Sequence, residues 1–210
     1  MATMMLSQPP APIVRNVPLL SSAEQGYRMH MATRIRRWTR ADLTSLPDDG
    51  NRYEVLDGEL FVTPQAAKRH QRIAVKLVLV LEPWCEQHGV GHLVGPGSVP
   101  FGKNELQPDV QVIPGLEPRG EVAWTDCPLP ILVCEILSDS TAHRDLGKKR
   151  DAYLRIGIPT YWVVDPDQRR VLVWTTGAQE ATVVTDVLRW QPRPDVPPLE
   201  IPLVSILPLQ

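Results

Sequence analysis

Glu135 interrupts an apolar run, with Ile131-Leu132-Val133-Cys134 before it and Ile136-Leu137 after it. Such a run is the pattern of a central strand covered on both faces. An ionised carboxylate in that setting loses several kcal/mol of hydration unless a cation, a basic partner or a raised pKa compensates it. Either Glu135 lies at the solvent end of its strand or pairs with one arginine, or it belongs to a site built to hold it. Asp109 repeats the pattern: Gln107-Pro108-Asp109 leads into Val110-Gln111-Val112-Ile113, which puts a second carboxylate at the mouth of a second strand. Alone, an Asp after Pro is an ordinary turn residue. Brought together by adjacent strands, two carboxylates repel each other and favour a hard divalent cation such as Mg2+, which takes oxygen ligands.

Lys149 is the third candidate. It follows Asp145-Leu146-Gly147-Lys148 and precedes Tyr153 by one helical turn, so it can share the inward side that Leu146, Tyr153, Leu154 and Ile156 form. A lysine facing the sheet near two carboxylates would complete a phosphodiester-cutting site, by stabilising charge on the phosphorane or orienting the attacking water. The competing reading is a solvated basic helix face, Lys148-Lys149-Arg150, and it suits Lys148 best. Glu54 and His70 are weaker candidates that could reach the same place from the side of a hairpin. Otherwise Glu54 is a surface strand residue and His70 a helix cap. His88, His92 and His143 show no metal-ligand spacing among themselves or with the cysteines, which argues against a zinc enzyme.

The elements that must position these residues follow from periodicity and punctuation. Thr39 to Leu43 reads as a short helix start, broken by Leu46 to Gly50. Arg52 to Leu56 and Glu59 to Thr63 flank Asp57-Gly58, a hairpin signal. From about Ala67 to Gln87, Ile73, Leu77, Val80, Leu81 and Trp84 recur at helical steps, and Gly89 ends the helix. Residues 91–100, 108–113 and 130–137 are strand candidates. A second helix spans about Arg144 to Ile156 and stops at Gly157 before Pro159. Strands at 160–164 and 170–175, with shorter ones at 180–190, complete the order. A mixed sheet flanked by helices, an α/β or α+β domain over residues 38–210, is the expected architecture. Residues 1–37 mix Pro, Ser, Met and Arg without apolar periodicity and read as a flexible leader, in which Arg34, Arg36, Arg37 and then Arg40 form a basic cluster.

Whole-chain properties narrow the class. The apolar fraction of 43% and charged fraction of 22% are those of a globular protein, and a net charge of −2 gives no overall basic footprint for nucleic acid. No run approaches the roughly 18 apolar residues of a membrane span, and the start lacks the layout of a secretory signal, so a cytoplasmic location is expected. Three cysteines without CxxC spacing predict neither a disulfide framework nor a structural zinc.

One ordered set of segments carries a resemblance: Tyr53-Glu54-Val55-Leu56-Asp57-Gly58-Glu59-Leu60, His70, Pro108-Asp109-Val110, Val133-Cys134-Glu135-Ile136-Leu137-Ser138, Asp145 with Lys149 and Tyr153, and Gly157-Ile158-Pro159-Thr160-Tyr161-Trp162-Val163-Val164-Asp165-Pro166. Over about 40–205 the chain resembles the Uma-type putative restriction endonucleases, a bacterial group with the PD-(D/E)XK nuclease fold. The resemblance implies a restriction-endonuclease-like mixed central sheet flanked by helices. It implies Asp109 and Glu135 as metal-binding catalytic acids, with Glu54 beside them, the Ile136 carbonyl as a further ligand of Mg2+ or Mn2+, and DNA as substrate. The position two after Glu135, where the superfamily usually has lysine, is Leu137, and the resemblance moves that lysine to Lys149. A homodimer is expected of nucleases of this fold that cut both strands. The alternative is a catalytically inactive nuclease-fold protein that self-associates or contacts nucleic acid.

Overall fold

The computed structural model describes residues 36–115 and 122–207, so the expected leader lies outside the described residues save for its last two positions. After a one-turn helix α1 (Arg40–Leu43), β1 (Arg52–Leu56) and β2 (Glu59–Thr63) form the expected hairpin. Asp57 and Gly58 take φ of 51° and 89° at its tip, the left-handed pair that a two-residue turn between twisted strands requires. Helix α2 (Lys68–His88) follows and closes on Gly89, whose left-handed φ of 56° lets its N–H reach the carbonyls of Cys85 and Glu86.

The chain then departs from a single strand over 91–100. β3 (His92–Val94) ends before Gly95-Pro96-Gly97, and β4 (Val99–Phe101) enters a different sheet, paired with β5 (Asn104–Leu106). The glycine at 95 is required by a close approach: a Cβ there would stand 2.6 Å from the Asp109 carbonyl oxygen. β6 (Val110–Ile113), a 3-10 turn (Trp124–Asp126) and β7 (Leu132–Ile136) come next. A helical segment then runs through α3 (Ala142–Arg144), a π turn (Asp145–Lys149) and α4 (Arg150–Arg155). β8 (Thr160–Asp165), β9 (Arg170–Thr175), β10 (Thr182–Val184), β11 (Val187–Trp190), β12 (Leu199–Pro202) and α5 (Leu203–Ile206) finish the domain.

The main sheet has six strands in the order β10-β9-β8-β7-β6-β3. Its parallel pair is β7 with β8, joined through the helical segment as a crossover must be, and the other pairings are antiparallel. The second sheet is β2-β1-β5-β4, and β11 pairs with β12 alone. The expectation of a mixed α+β domain holds, with three sheets among the described residues in place of one.

Alternation along β6 and β7 decides where the acids point. Val110, Val112, Leu132, Cys134 and Ile136 join the core beneath α2, which contributes Ile73, Leu77, Leu81 and Cys85 at four-residue steps. Val133 faces the other way, into a second core with Leu56, Leu106, Tyr153 and Tyr161. Glu135 and Asp109 therefore share the face of the main sheet that meets β1 and the helical segment.

Candidate active site

Lys149 lies at the end of the π turn, a widened helical turn of a type that often occurs at functional sites. Its side chain is 2% exposed. The ammonium stands 2.8 Å from Glu54 Oε1, 3.0 Å from Glu135 Oε1 and 3.7 Å from Asp145 Oδ1. The Tyr153 hydroxyl donates to the same Glu135 oxygen at 3.2 Å, and Gln107 N–H donates to Glu54 Oε1 at 2.8 Å. Tyr161 holds the turn from below, its hydroxyl donating to the Asp145 carbonyl at 2.8 Å. Glu54 Oε2 and Asp145 Oδ1 are buried with no hydrogen-bond partner among the described residues.

Burial alone would lower the Lys149 pKa, but the charges of Glu135, Glu54 and Asp145 outweigh it and raise the value, so this lysine stays charged. Burial pushes Glu135 well above the usual carboxylate range, with Lys149 opposing and Asp145, Asp109 and Glu54 reinforcing the rise. Asp145 is raised by burial against the pull of Lys149.

Asp109 forms the second half of the site. Arg52 Nη1 donates to its Oδ1 at 2.8 Å, His70 Nε2 lies 2.9 Å from Oδ2, and the Ile136 N–H donates to Oδ2 at 2.8 Å. Burial would raise this carboxyl, yet the His70 hydrogen bond, the Arg52 charge and the Ile136 N–H hold it down at about 2. Because Val110 pairs with Cys134 in the antiparallel ladder, the stretch just before it comes beside Glu135 and Ile136. A cavity of about 400 Å³ opens here, with Arg52, His70, Asp109 and Gln107 in its wall.

The structure brings together every residue proposed from the sequence: Asp109, Glu135, Lys149, Glu54 and His70. Ile136 joins them through its N–H, which donates to Asp109 Oδ2. Sequence reasoning assigned no role to Arg52 or to Asp145. Arg52 alternates with Glu54 on β1 and so faces the same way, and Asp145 precedes Lys149 by one helical turn; both signals were present in the spacing. Elsewhere, Glu82, Glu86 and His92 form a group whose ligand atoms all lie within 4.8 Å of one another on part-exposed surface. Glu82 already accepts the Leu93 N–H at 2.6 Å.

The family model that matches residues 40–205 is Uma2, "Putative restriction endonuclease". The chain belongs to that family. Among solved structures, it is similar to a putative nuclease belonging to DUF820 from Anabaena variabilis. The two share 20% identity with a TM-score of 0.68, over 80% of this chain and 97% of the other, a likeness of fold. No match is found among curated proteins. Family membership supports a nuclease function in general and a nucleic acid as substrate. Among the described residues no helix is long and apolar enough to cross a membrane.

Proposed function

We propose that this Uma2 member is an endonuclease that hydrolyses DNA phosphodiester bonds with a divalent cation, Mg2+ or Mn2+. The charge of the site carries the reading. Four carboxylates, Glu54, Asp109, Glu135 and Asp145, face two permanent cations, Arg52 and Lys149, so the site holds two more negative than positive charges when all are ionised and His70 is neutral. An anionic phosphate has no reason to approach such a site unless a cation joins it. The donor set is all oxygen, and Glu54 Oε2 is buried in it without a hydrogen bond to the described residues, which suits a hard divalent ion. Asp109 and Glu135 are the ligands we assign, with Glu54 within reach. Such an ion would polarise the phosphoryl oxygen and lower the pKa of the attacking water.

The protein's own groups do the positioning. Lys149 fixes Glu135 and Glu54 while staying charged, and its charge opposes the rise that burial imposes on the Glu135 pKa. Tyr153 orients Glu135 from the helical side. His70 and the Ile136 N–H hold one Asp109 oxygen, and Arg52 holds the other. In a plasmid-nicking assay, wild-type protein should cleave with Mg2+ or Mn2+ and not in chelator, and Asp109→Ala and Glu135→Ala should each remove cleavage. Undiminished cleavage by Glu135→Ala would sink the assignment.

A second reading, an inactive module that self-associates, draws on the exposed Val75 and Leu79, four residues apart on α2. It requires calorimetry to show no Mn2+ binding at millimolar concentration.

A further inference from the structure

We infer that Arg52, and not Lys149, is the cation that meets the substrate phosphate. The inference rests on the nuclease reading above and adds the group that touches the backbone of the nucleic acid. Lys149 is 2% exposed, is enclosed by three carboxylates, and borders neither of the cavities beside the site. An ammonium so placed can organise acids but cannot reach a phosphate without abandoning them.

Arg52 is placed differently. Its side chain is 19% exposed and lines the 400 Å³ cavity. Both hydrogen bonds that it makes to described residues leave from Nη1, to Asp109 Oδ1 at 2.8 Å and to the Gln107 carbonyl at 3.0 Å. The guanidinium is a planar fork of five donors, so one edge can stay on Asp109 while another meets an anion. Asp109 and Gln107 fix its position from the protein side, which reduces the ordering cost of that contact.

The two cavities beside Arg52 suit two neighbouring nucleosides. A second cavity, of about 230 Å³, lies beside the first, and the two share Arg52, Thr63, Pro64, Gln65, Ala66 and His70. A phosphodiester is the link between two nucleosides, so a strand with one nucleoside at each cavity carries its linking phosphate past the shared wall. Arg52 is the group of that wall with guanidinium N–H donors to spare, since the His70 Nε2–H is taken up by Asp109 Oδ2. The chemistry recognised is therefore a dinucleotide step with its anionic phosphate on Arg52.

Binding of a fluorescent 20-nucleotide DNA, followed by anisotropy against salt in Ca2+, tests this in wild type, Arg52→Met and Arg52→Lys, with Ca2+ binding by each protein followed by calorimetry without DNA. If Arg52 holds a phosphate, Arg52→Met weakens DNA binding on the order of tenfold while Ca2+ still binds. It also lowers the slope of log affinity against log salt by about one, and Arg52→Lys, which keeps the charge, restores that slope. If the arginine only neutralises Asp109, Arg52→Met keeps the salt slope of wild type, which overturns the inference while cleavage by wild type leaves the nuclease reading standing. Wild-type protein that neither binds nor cuts the DNA overturns both.

Discussion

Glu135 and Asp109 stand on neighbouring strands of one sheet, yet their surroundings drive them to opposite states. Glu135 is sealed with Glu54, Asp145 and Lys149, all nearly without exposed side-chain surface, and burial lifts its pKa. Asp109 sits at the cavity edge with three donors, and they pull its pKa down to about 2. Two carboxyls whose environments push their pKa values apart have different duties. The sealed half holds the proposed ligand Glu135 and two further acids against a single lysine. The open half keeps a permanent carboxylate, with a histidine and an arginine, where substrate can arrive.

That contrast is broken most directly at Lys149. Lys149→Met leaves Glu54, Glu135 and Asp145 buried without their cation and should cost roughly 3–5 kcal/mol in urea unfolding. Adding Glu135→Gln to it should recover part of the loss, because one of the stranded charges is removed. A Lys149→Met protein as stable as wild type would mean that the sealed half is already neutral by proton uptake, and the division between a lysine-held sealed half and an open one would fail.

The parts of this site that the sequence displays are those with a local signature. Glu135 stands out because its strand is otherwise apolar, and Lys149 because Tyr153 marks the inward side one turn later. The Asp57-Gly58 turn and the Gly89 cap announce themselves through residues that accept positive φ. Arg52 carries a weaker mark, its alternation with Glu54 on β1: at the start of a strand an arginine is usually solvated, and the distant Gln107 and Asp109 make it a site residue. The division into three sheets was equally hidden. β5 is three residues, Asn104–Leu106, too short for alternation to show, and besides its hairpin neighbour β4 it pairs with β1, far back along the chain. The strands β11 and β12 and the helix α5 complete the core under α2, with Leu188, Trp190, Ile201 and Ile206 buried there, though Pro-rich sequence around them obscures any period.

The open half should govern stability in acid. Asp109 has a folded pKa of about 2 against an ordinary 3.8, so its contribution is present above pH 3.8 and is lost as the pH falls towards 2. The difference corresponds to about 2 kcal/mol. Asp109→Asn should remove this acid limb from a series of urea unfolding curves between pH 2 and 6. Glu135 has the opposite sign: its folded pKa is raised, so the stability of its neutral form is present below the ordinary 4.5 and declines as the pH rises through the raised value. Glu135→Gln should therefore flatten the neutral side of the same curves and leave the acid limb alone. Exchanged effects of the two variants would reverse the assignment of the halves.

The smallest effect belongs to the residue next to Lys149. Lys148 pairs with Glu59 at 2.6 Å, but both side chains are more than half exposed. Water and salt screen the pair, and ordering two long side chains offsets most of its attraction. Lys148→Ala should shift the unfolding free energy by less than about 0.5 kcal/mol and by still less at high salt. Adjacent lysines of equal formal charge would then differ several-fold in what their loss costs, through burial alone. A Lys148→Ala loss comparable to that of Lys149→Met would place the decisive cation on the surface of the helix and separate the charge balance of the site from its burial.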